Sequence, residues 1–304
     1  MRILVTGGMG AVGKPLSEEL RRRGHEVWIS DRIHSHQPYY IRCDIGEFHQ
    51  VESLFSKVEF DYVYHLAAEF GRRNGEDFYE TLWKTNAIGM KNIIRMQERL
   101  KFKMIFTSSS EVYGDYDDIM NEDVMDKVAI RQLNDYAMSK RVNEMQILNS
   151  TDKFGTKTVR LRLFNTYGPG EYYSEYRSAI CVFIYRALHG LPYTVFTEHR
   201  RTSSYIDDTV RTLANIEANF KPGEVYNIAG TELHDMKKTS DIILSYLGKG
   251  DSLVEYRDVE EATTLEKKVD ASKAVRDLGH QSTVTLEEGI PRTVDWQKEV
   301  YGNG

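Results

Sequence analysis

A glycine-rich stretch stands between a strand pattern and a helix pattern at the start of the chain. Residues 3–5 form a short apolar run rich in β-branched side chains, and residues 6–13 read TGGMGAVG. In such a βα turn, Gly7 permits the tight bend and Gly10 lets backbone approach a pyrophosphate, while Gly13 lets the helix pack close to the strand. Free N–H groups at the helix start attract phosphates. The stretch therefore predicts a dinucleotide-binding turn.

Strand and helix patterns alternate through the first half of the chain. The further predicted strands lie near residues 27–29, 40–42, 62–64, 104–106 and 158–163. The predicted helices lie near residues 13–23, 51–55 and 77–100, and around Tyr136. Alternation of this kind predicts an α/β fold, a parallel sheet with helices on both faces. After about Gly168 the alternation loosens: helices are predicted near 178–189, 207–219, 236–247, 271–278 and 286–299, and strands near 193–196 and 225–228.

The acid that ends the second predicted strand indicates which dinucleotide binds. Asp31 stands at the offset from the glycine turn where a carboxylate receives the adenosine ribose hydroxyls. Its charge repels a 2′-phosphate, so NAD is favoured over NADP, although the neighbouring Arg32 softens that preference. Asp44 ends the third predicted strand, where it suits either an adenine contact or a helix N-cap.

A tyrosine and a lysine four residues apart form the candidate catalytic pair. Tyr136 and Lys140 fall on one face of a predicted helix. A phenol with a pKa near 10 is a poor base at neutral pH, but a neighbouring cation favours the phenolate. The pair can then accept a proton from an alcohol. Any amphipathic helix can show this spacing, so the inference depends on the glycine turn upstream.

Composition and charge narrow the range of functions. A net charge of -6 with interleaved acids and bases gives no reason to expect binding to nucleic acid or a membrane. Cys43 and Cys181 stand far apart, so neither a disulfide framework nor a metal site is expected. The first residues are too short an apolar run for a signal peptide, and no later segment could span a bilayer, so a cytoplasmic location is expected.

Motifs along the whole chain resemble one protein family. They are TGGMGAVG (6–13), Asp31, CDI (43–45), HLAA (65–68), Asn86, TSSSEVYG (107–114), YAMSK (136–140), FNTYGPG (164–170), SSYIDD (203–208) and VDASKAVRDLG (269–279). This set is similar to that of the extended short-chain dehydrogenase/reductases that modify nucleotide sugars, among them UDP-glucose 4-epimerases and UDP-glucuronate decarboxylases.

The resemblance implies an architecture and a set of ligands. It implies a Rossmann-type doubly wound NAD-binding domain over residues 1–167. Residues 168–304 would form mainly a smaller mixed substrate-binding lobe, with some segments returning to the first domain. It further implies a nucleotide-diphosphate sugar as substrate and a homodimer that forms through a bundle of helices.

The resemblance also assigns roles to residues. Tyr136 would take the proton from a sugar hydroxyl, expected to be O4, while Lys140 would lower the pKa of that phenol and bind the nicotinamide ribose. Ser109 would be the catalytic hydroxyl, with Ser108 and Ser110 close enough for an alignment error of one residue. The cofactor-binding set would be Gly7, Gly10, Ala11, Val12, Gly13, Asp31, Arg32, Asp44, Ile45, Leu66, Ala67, Ala68, Asn86, Tyr136, Lys140 and Phe164. The substrate-binding set would be Ser109, Ser110, Asn165, Arg177 and Arg201, although the segment that holds Arg177 matches no family pattern.

Glu111 bears on the reaction type. The family's 4,6-dehydratases carry Asp-Glu where this chain has Ser110 and Glu111, so dehydration is disfavoured. Its UDP-glucuronate decarboxylases carry Ser-Glu there, and its simple 4-epimerases carry small or hydroxyl residues in place of Glu111. Arg201 suits both reactions, because it would grip the diphosphate in epimerases and approach the uronate carboxylate in decarboxylases. Epimerisation is the first prediction because it needs no further acid; decarboxylation is the close alternative, and a dehydratase or a non-catalytic NAD-binding protein comes behind.

Overall fold

Seven parallel strands form the central sheet of this computed structural model, which describes residues 1–302. Their order is β3-β2-β1-β4-β5-β6-β11, and every neighbouring pair is parallel. The strands are β1 (Arg2–Thr6), β2 (Glu26–Asp31), β3 (Tyr40–Arg42), β4 (Tyr62–His65), β5 (Lys103–Ser109), β6 (Thr158–Leu163) and β11 (Val225–Ile228). The predicted Rossmann-type doubly wound sheet is confirmed.

Helices cover both faces of the sheet because its central strands carry apolar side chains on both faces. In β1, Ile3 and Val5 point into one buried cluster, and Leu4 points into another on the opposite face. The helices along the chain are α1 (Gly13–Arg22), α2 (Phe48–Lys57), α3 (Arg72–Asp77), α4 (Tyr79–Trp83), α5 (Gly89–Leu100), α6 (Val124–Lys127), α7 (Asp135–Phe154), α8 (Ala179–Leu188), α9 (Ile206–Asn215), α10 (Met236–Leu247), α11 (Ser272–Leu278) and α12 (Leu286–Tyr301). Helices α1 and α9 pack on the first face, and α2, α5 and α7 on the second.

The helix predicted over residues 77–100 starts later in the structure and contains an irregular turn. Helix α3 ends at Asp77, and helical backbone then continues from Tyr79 to Leu100 through α4, a π-helical turn at Lys84–Ile88 and α5. Phe78 leaves the helical region with φ −128° and ψ 46°. Within the π turn, the amide of Asn86 donates to Glu69 O at 2.9 Å and to Ser139 Oγ at 2.9 Å. These bonds tie the wider turn to neighbouring elements, which local periodicity does not reveal.

Smaller strand pairs build the wall opposite the glycine turn. They are β7 (Thr166–Tyr167) with β10 (Ser204–Tyr205), β8 (Tyr193–Phe196) with β13 (Val254–Arg257), and β9 (Arg200–Thr202) with β12 (Leu233–Asp235). Helices α8, α10 and α12 pack with them. Within residues 1–302 no helix is long and apolar enough to cross a membrane.

Candidate active site

A cleft of about 1210 Å³ opens at the carboxyl ends of the central strands, between the sheet and the smaller strand pairs. Ligands of open α/β sheets bind at this edge. The predicted site residues that line the cleft are Gly7, Gly10, Ala11, Val12, Gly13, Asp31, Arg32, Asp44, Ile45, Leu66, Ala67, Ala68, Ser109, Ser110, Glu111, Tyr136, Lys140, Asn165, Arg177 and Arg201. Positions far apart in the sequence therefore meet in one place.

Two predicted cofactor-binding residues lie behind the wall of the cleft. Asn86 is buried, and its side-chain oxygen accepts from Glu69 N at 2.8 Å. Phe164 is fully buried in a cluster with Tyr113 and other apolar side chains. Both side chains hold cleft segments in position and do not line the cleft, so the cofactor contact that we predicted for them stays a prediction.

The glycine turn leaves a cradle that side chains would fill. Gly7 has φ +69°, and a Cβ there would stand 2.7 Å from Ala67 N. A Cβ on Gly13 would stand 2.2 Å from Gly7 O. Helix α1 begins at Gly13 without a side-chain cap, and the residues at its N-terminus, Ala11, Val12 and Gly13, line the cleft. This cradle and helix terminus fit the pyrophosphate of NAD.

The ribose end of the cradle is built around Asp31. Its carboxylate accepts from Met9 N at 3.1 Å and from Arg32 N at 2.8 Å, which fixes it at the end of β2. The Arg32 guanidinium forms a salt bridge with Glu69 at 2.9 Å, so a carboxylate already neutralises its charge. Asp44 closes a turn by accepting from Gly46 N at 2.9 Å, and Glu47 occupies the N-cap of α2, so the N-cap role is excluded for Asp44.

Tyr136 lies in the first turn of α7, which begins where Asn134 caps Ala137 N at 2.8 Å. Burial raises the pKa of Tyr136 to about 12; the Ser109 hydroxyl opposes this rise and Glu111 adds to it. Lys140 Nζ donates to Thr107 O at 2.9 Å and lies 5.9 Å from the centre of the Tyr136 ring. The protein alone therefore does not show the lowering of the phenol pKa that we predicted from Lys140. Burial lowers the pKa of Lys140 itself to about 8.

The three serines after β5 have different partners. Ser108 Oγ donates to Glu144 Oε1 at 2.6 Å, away from the phenol. Ser110 Oγ accepts from Lys267 Nζ at 3.1 Å. Ser109 interacts with Tyr136, and its hydroxyl also accepts from Glu111 N at 3.2 Å. Among these serines, Ser109 is the one whose hydroxyl lowers the pKa of the candidate base.

A cluster of charges surrounds Glu111 at the end of the cleft beyond Tyr136. Lys267 Nζ forms a salt bridge with its carboxylate. Burial alone would raise the pKa of Glu111, but attraction to Lys267, Arg72 and Arg201 outweighs burial and lowers it to about 2. We call Glu111, Lys267, Arg72, Arg201 and Glu260 the charged cluster.

Arg201 has no carboxylate of residues 1–302 within 4.0 Å. Its guanidinium donates instead to the carbonyls of Arg200 and Leu265, both at 2.8 Å. Burial lowers the pKa of Arg201 to about 10, and attraction to Glu111 opposes this effect. Arg72, in contrast, pairs with Glu260 at 2.6 Å. Arg201 is therefore a cation of the cleft wall whose charge is only partly balanced.

No role was assigned to Lys267 or Arg72 from the sequence. Lys267 is separated from Glu111 by 156 positions, and no motif joins the two. Arg72 follows β4, where active-site loops gather, and that position was the available signal.

Asn165 and Arg177 complete the predicted substrate set. Asn165 adopts φ +38°, and its amide donates to Thr202 O at 3.4 Å. Arg177 lies with its guanidinium carbon 4.2 Å from the centre of the Phe70 ring. The tyrosine next to it, Tyr176, donates to Asp77 at 3.0 Å, so this segment contacts α3 across the cleft.

The family can now be assigned from comparison with known proteins. The family model of the NAD dependent epimerase/dehydratase family matches residues 3–229. The chain belongs to this family. The predicted resemblance to extended short-chain dehydrogenase/reductases is confirmed, and so is NAD, the cofactor by which the family is described.

Similar members of the epimerase/dehydratase family carry out different reactions. The chain is 31% identical to UDP-glucuronic acid decarboxylase 6 of Arabidopsis thaliana, over 96% of this chain and 87% of that protein. It is 25% identical to dTDP-glucose 4,6-dehydratase of Salmonella typhimurium, over 97% and 92%. UDP-glucuronic acid 4-epimerase from Bacillus cereus, solved with UDP-glucuronic acid and NAD, superposes with a TM-score of 0.89 at 25% identity, over 99% and 100%. Membership therefore establishes an epimerase, decarboxylase or dehydratase type of enzyme and leaves the reaction open.

Proposed function

We propose that this enzyme oxidises C4 of a nucleoside-diphosphate hexuronate transiently and releases the C6 carboxylate as CO₂. The observation that carries the proposal is the charged cluster. Lys267, Arg72 and Arg201 are opposed by Glu111 and Glu260, which leaves one positive charge in excess. A hexose without a carboxylate could balance that charge only through the diphosphate of its nucleotide, whereas a hexuronate brings a carboxylate of its own to pair with it.

The residues beside the cofactor cradle provide the chemistry at C4. Bound NAD supplies the hydride acceptor and a positive charge next to the phenol. Tyr136 Oη takes the proton of the C4 hydroxyl, and the Ser109 hydroxyl donates to the same oxygen as charge develops on it. Lys140, fixed by Thr107 O, provides a fixed cation on the same helix face as the phenol. The same proton returns to O4 at the end of the cycle.

Loss of CO₂ follows from the oxidation. A ketone at C4 makes the C6 carboxylate a β-keto acid, so the C5–C6 bond breaks and its electron pair moves into the C4 enolate. C5 then takes a proton from solvent, and the hydride returns to C4. Glu111 is ionised in the charged cluster, so it repels the neighbouring carboxylate, and departure of neutral CO₂ removes that repulsion.

The second candidate is C4 epimerisation of the same hexuronate, which the sequence placed first. It is supported by the Ser109 and Tyr136 pair, which is sufficient for reversible oxidation at C4, and by the similarity to the Bacillus cereus 4-epimerase. We place decarboxylation first because an ionised Glu111 favours loss of the adjacent negative charge.

Product analysis with UDP-glucuronate tests the proposal. We expect CO₂ release with a pentose nucleotide as product, and no turnover of UDP-glucose. Conversion to the C4 epimer without CO₂ would establish the second candidate, and turnover of UDP-glucose alone would refute the hexuronate. Thermal shift with UDP-, GDP-, CDP- and dTDP-sugars would identify the base, because a ligand that binds the folded state raises the melting temperature.

We further propose that two copies of the chain pair through α7 and the adjoining π turn. Exposed apolar side chains form a stripe there, namely Ile88 (54% exposed), Met138 (39%), Met145 (56%) and Leu148 (39%). A second copy would bury this stripe, and removal of its apolar surface from water would favour association. Light scattering on the purified protein should give twice the monomer mass of 35.2 kDa.

A further inference from the structure

Lys267 lies behind the active-site carboxylate and not on the surface of the cleft. Its side chain is 1% exposed and does not line the cleft, whereas Glu111 does. Its backbone is pinned to β9, because Lys267 N donates to Arg200 O at 3.1 Å and Lys267 O accepts from Thr202 Oγ1 at 2.9 Å. The ammonium group is therefore fixed against Glu111, and it also donates to Ser110 Oγ at 3.1 Å.

We propose that Lys267 is a positioning residue that holds Glu111 as an ionised carboxylate aimed into the cleft, so that Glu111 keeps its negative charge there and has no proton to donate. A buried carboxylate without such a partner would take up a proton instead of remaining charged. The consequence for the sugar rests on the proposed function, but the ionisation of Glu111 does not. In a decarboxylation, the proton that C5 receives would then come from solvent and not from Glu111.

The groups around Glu111 leave Lys267 as its direct ionic partner. Arg72 from α3 and Arg201 from β9 attract Glu111 at longer range, and the phenol of Tyr136 faces it from α7. The amide of Asn134, the N-cap residue of α7, donates to Glu111 Oε2 at 3.4 Å.

The outer charges of the cluster have other partners. Glu260 pairs with Arg72 at 2.6 Å, and its backbone N–H donates to His199 Nε2 at 2.8 Å. Burial lowers the pKa of Lys267 to about 8, partly offset by attraction to Glu111, so the ammonium stays charged at neutral pH.

Titration of the Glu111 carboxyl tests the inference without substrate. The protein is labelled with carboxyl-¹³C glutamate, and the Glu111 resonance is assigned as the one that E111Q loses. In the wild type, this resonance should show no titration between about pH 4 and pH 7. In K267M the same resonance should titrate at least about two pH units higher than in the wild type, because burial then raises the pKa of Glu111 without the opposing attraction to Lys267. A wild-type midpoint above the ordinary value of 4.5 would overturn the inference, even if K267M fails to fold.

A neighbouring lysine and a double variant separate charge from packing. Lys268 is exposed and pairs with Glu266, so K268M should leave the Glu111 titration unchanged. K267M should lose thermal stability relative to wild type as pH rises from about 5 to 8, because its Glu111 must ionise without a partner. K267M/E111Q should recover that loss. A K267M loss that is constant with pH and not recovered in the double variant would show a merely structural role.

Kinetics provide a second, activity-based measurement. In K267M the acid limb of the plot of kcat against pH should move to higher pH as the Glu111 pKa rises. The dissociation constant of NAD should stay within about threefold of the wild-type value. If no substrate is found, the proposed function fails but the titration result stands. If turnover is found and the acid limb does not move, the inference fails and the proposed function stands.

Discussion

Replacing Tyr136 with phenylalanine removes the oxygen proposed to take the proton and little else. The phenol lies on α7 against Ser109, and burial raises its pKa to about 12. The ring fills the same space in both residues, so the wall of the cleft stays in place. We therefore expect the Tyr136→Phe variant to fold and to retain NAD, with a dissociation constant within about threefold of wild type.

The size of the expected loss follows from the pKa. At about pH 7 a phenol with a pKa of about 12 is about 7 kcal/mol from ionised, since each unit is worth about 1.4 kcal/mol. Charge that arrives with the cofactor and the substrate must supply this free energy of ionisation. Its size shows how strongly turnover depends on the phenol oxygen. Positioned general bases contribute about 10²–10⁴ in rate. We expect kcat to fall by that factor, with KM changed less than about threefold.

The assay follows sugar turnover and bound NAD in the same preparation. Tyr246→Phe is the matched control, because it also removes a phenol that hydrogen-bonds to a carboxylate, Asp295 at 2.7 Å, on the outer surface. The control should keep wild-type kcat. A Tyr136→Phe enzyme with kcat within about tenfold of wild type would refute the assigned base, and loss of NAD from that variant would mean that the phenol acts in binding.

Further predictions concern the cradle, the fold and the dimer. Gly13→Ala places a methyl 2.2 Å from Gly7 O and should weaken NAD binding by about tenfold or more in equilibrium dialysis, whereas Gly250→Ala, where the methyl meets nothing within 4 Å, should not. Asp208 is fully buried and accepts hydrogen bonds from two backbone N–H groups. The Asp208→Ala variant should therefore lose about 3 kcal/mol of unfolding free energy in a urea titration, whereas Asp207→Ala, at an exposed position, should lose less than about 0.5 kcal/mol. Met145→Glu should shift the light-scattering mass from dimer to monomer with kcat per chain measured alongside; a mass that stays at the dimer value would contradict the proposed α7 interface.

The strands and the cofactor turn could be predicted because their signals are local. The glycine turn and the acid Asp31 each follow a strand directly, and the period of apolar residues marks β1 and α1. The π-helical turn around Asn86 could not, because its contacts are bonds to Glu69 and Ser139, which are distant in sequence. Apolar periodicity through residues 77–100 gives no sign of these bonds.

The candidate site divides in the same way. Tyr136 and Ser109 stand in recognisable motifs, so sequence alone places them together. The charged cluster joins Glu111 to Lys267 across 156 positions, and long-range pairing of single charges leaves no periodic trace. The direction of the Tyr136 pKa shift also required the structure, because burial is its largest cause and Glu111 adds to it.

Strand β11 restricts how this enzyme can be dissected in the laboratory. It joins the edge of the sheet beside β6, although it comes after the boundary that the sequence indicated at residue 167. A recombinant fragment that stops there would leave the backbone of β6 without its neighbour, and an open strand edge is a template for aggregation. A fragment that contains the nucleotide-binding half will also need Val225–Ile228. This strand can be joined to the fragment through a linker or provided by co-expressing the remainder of the chain.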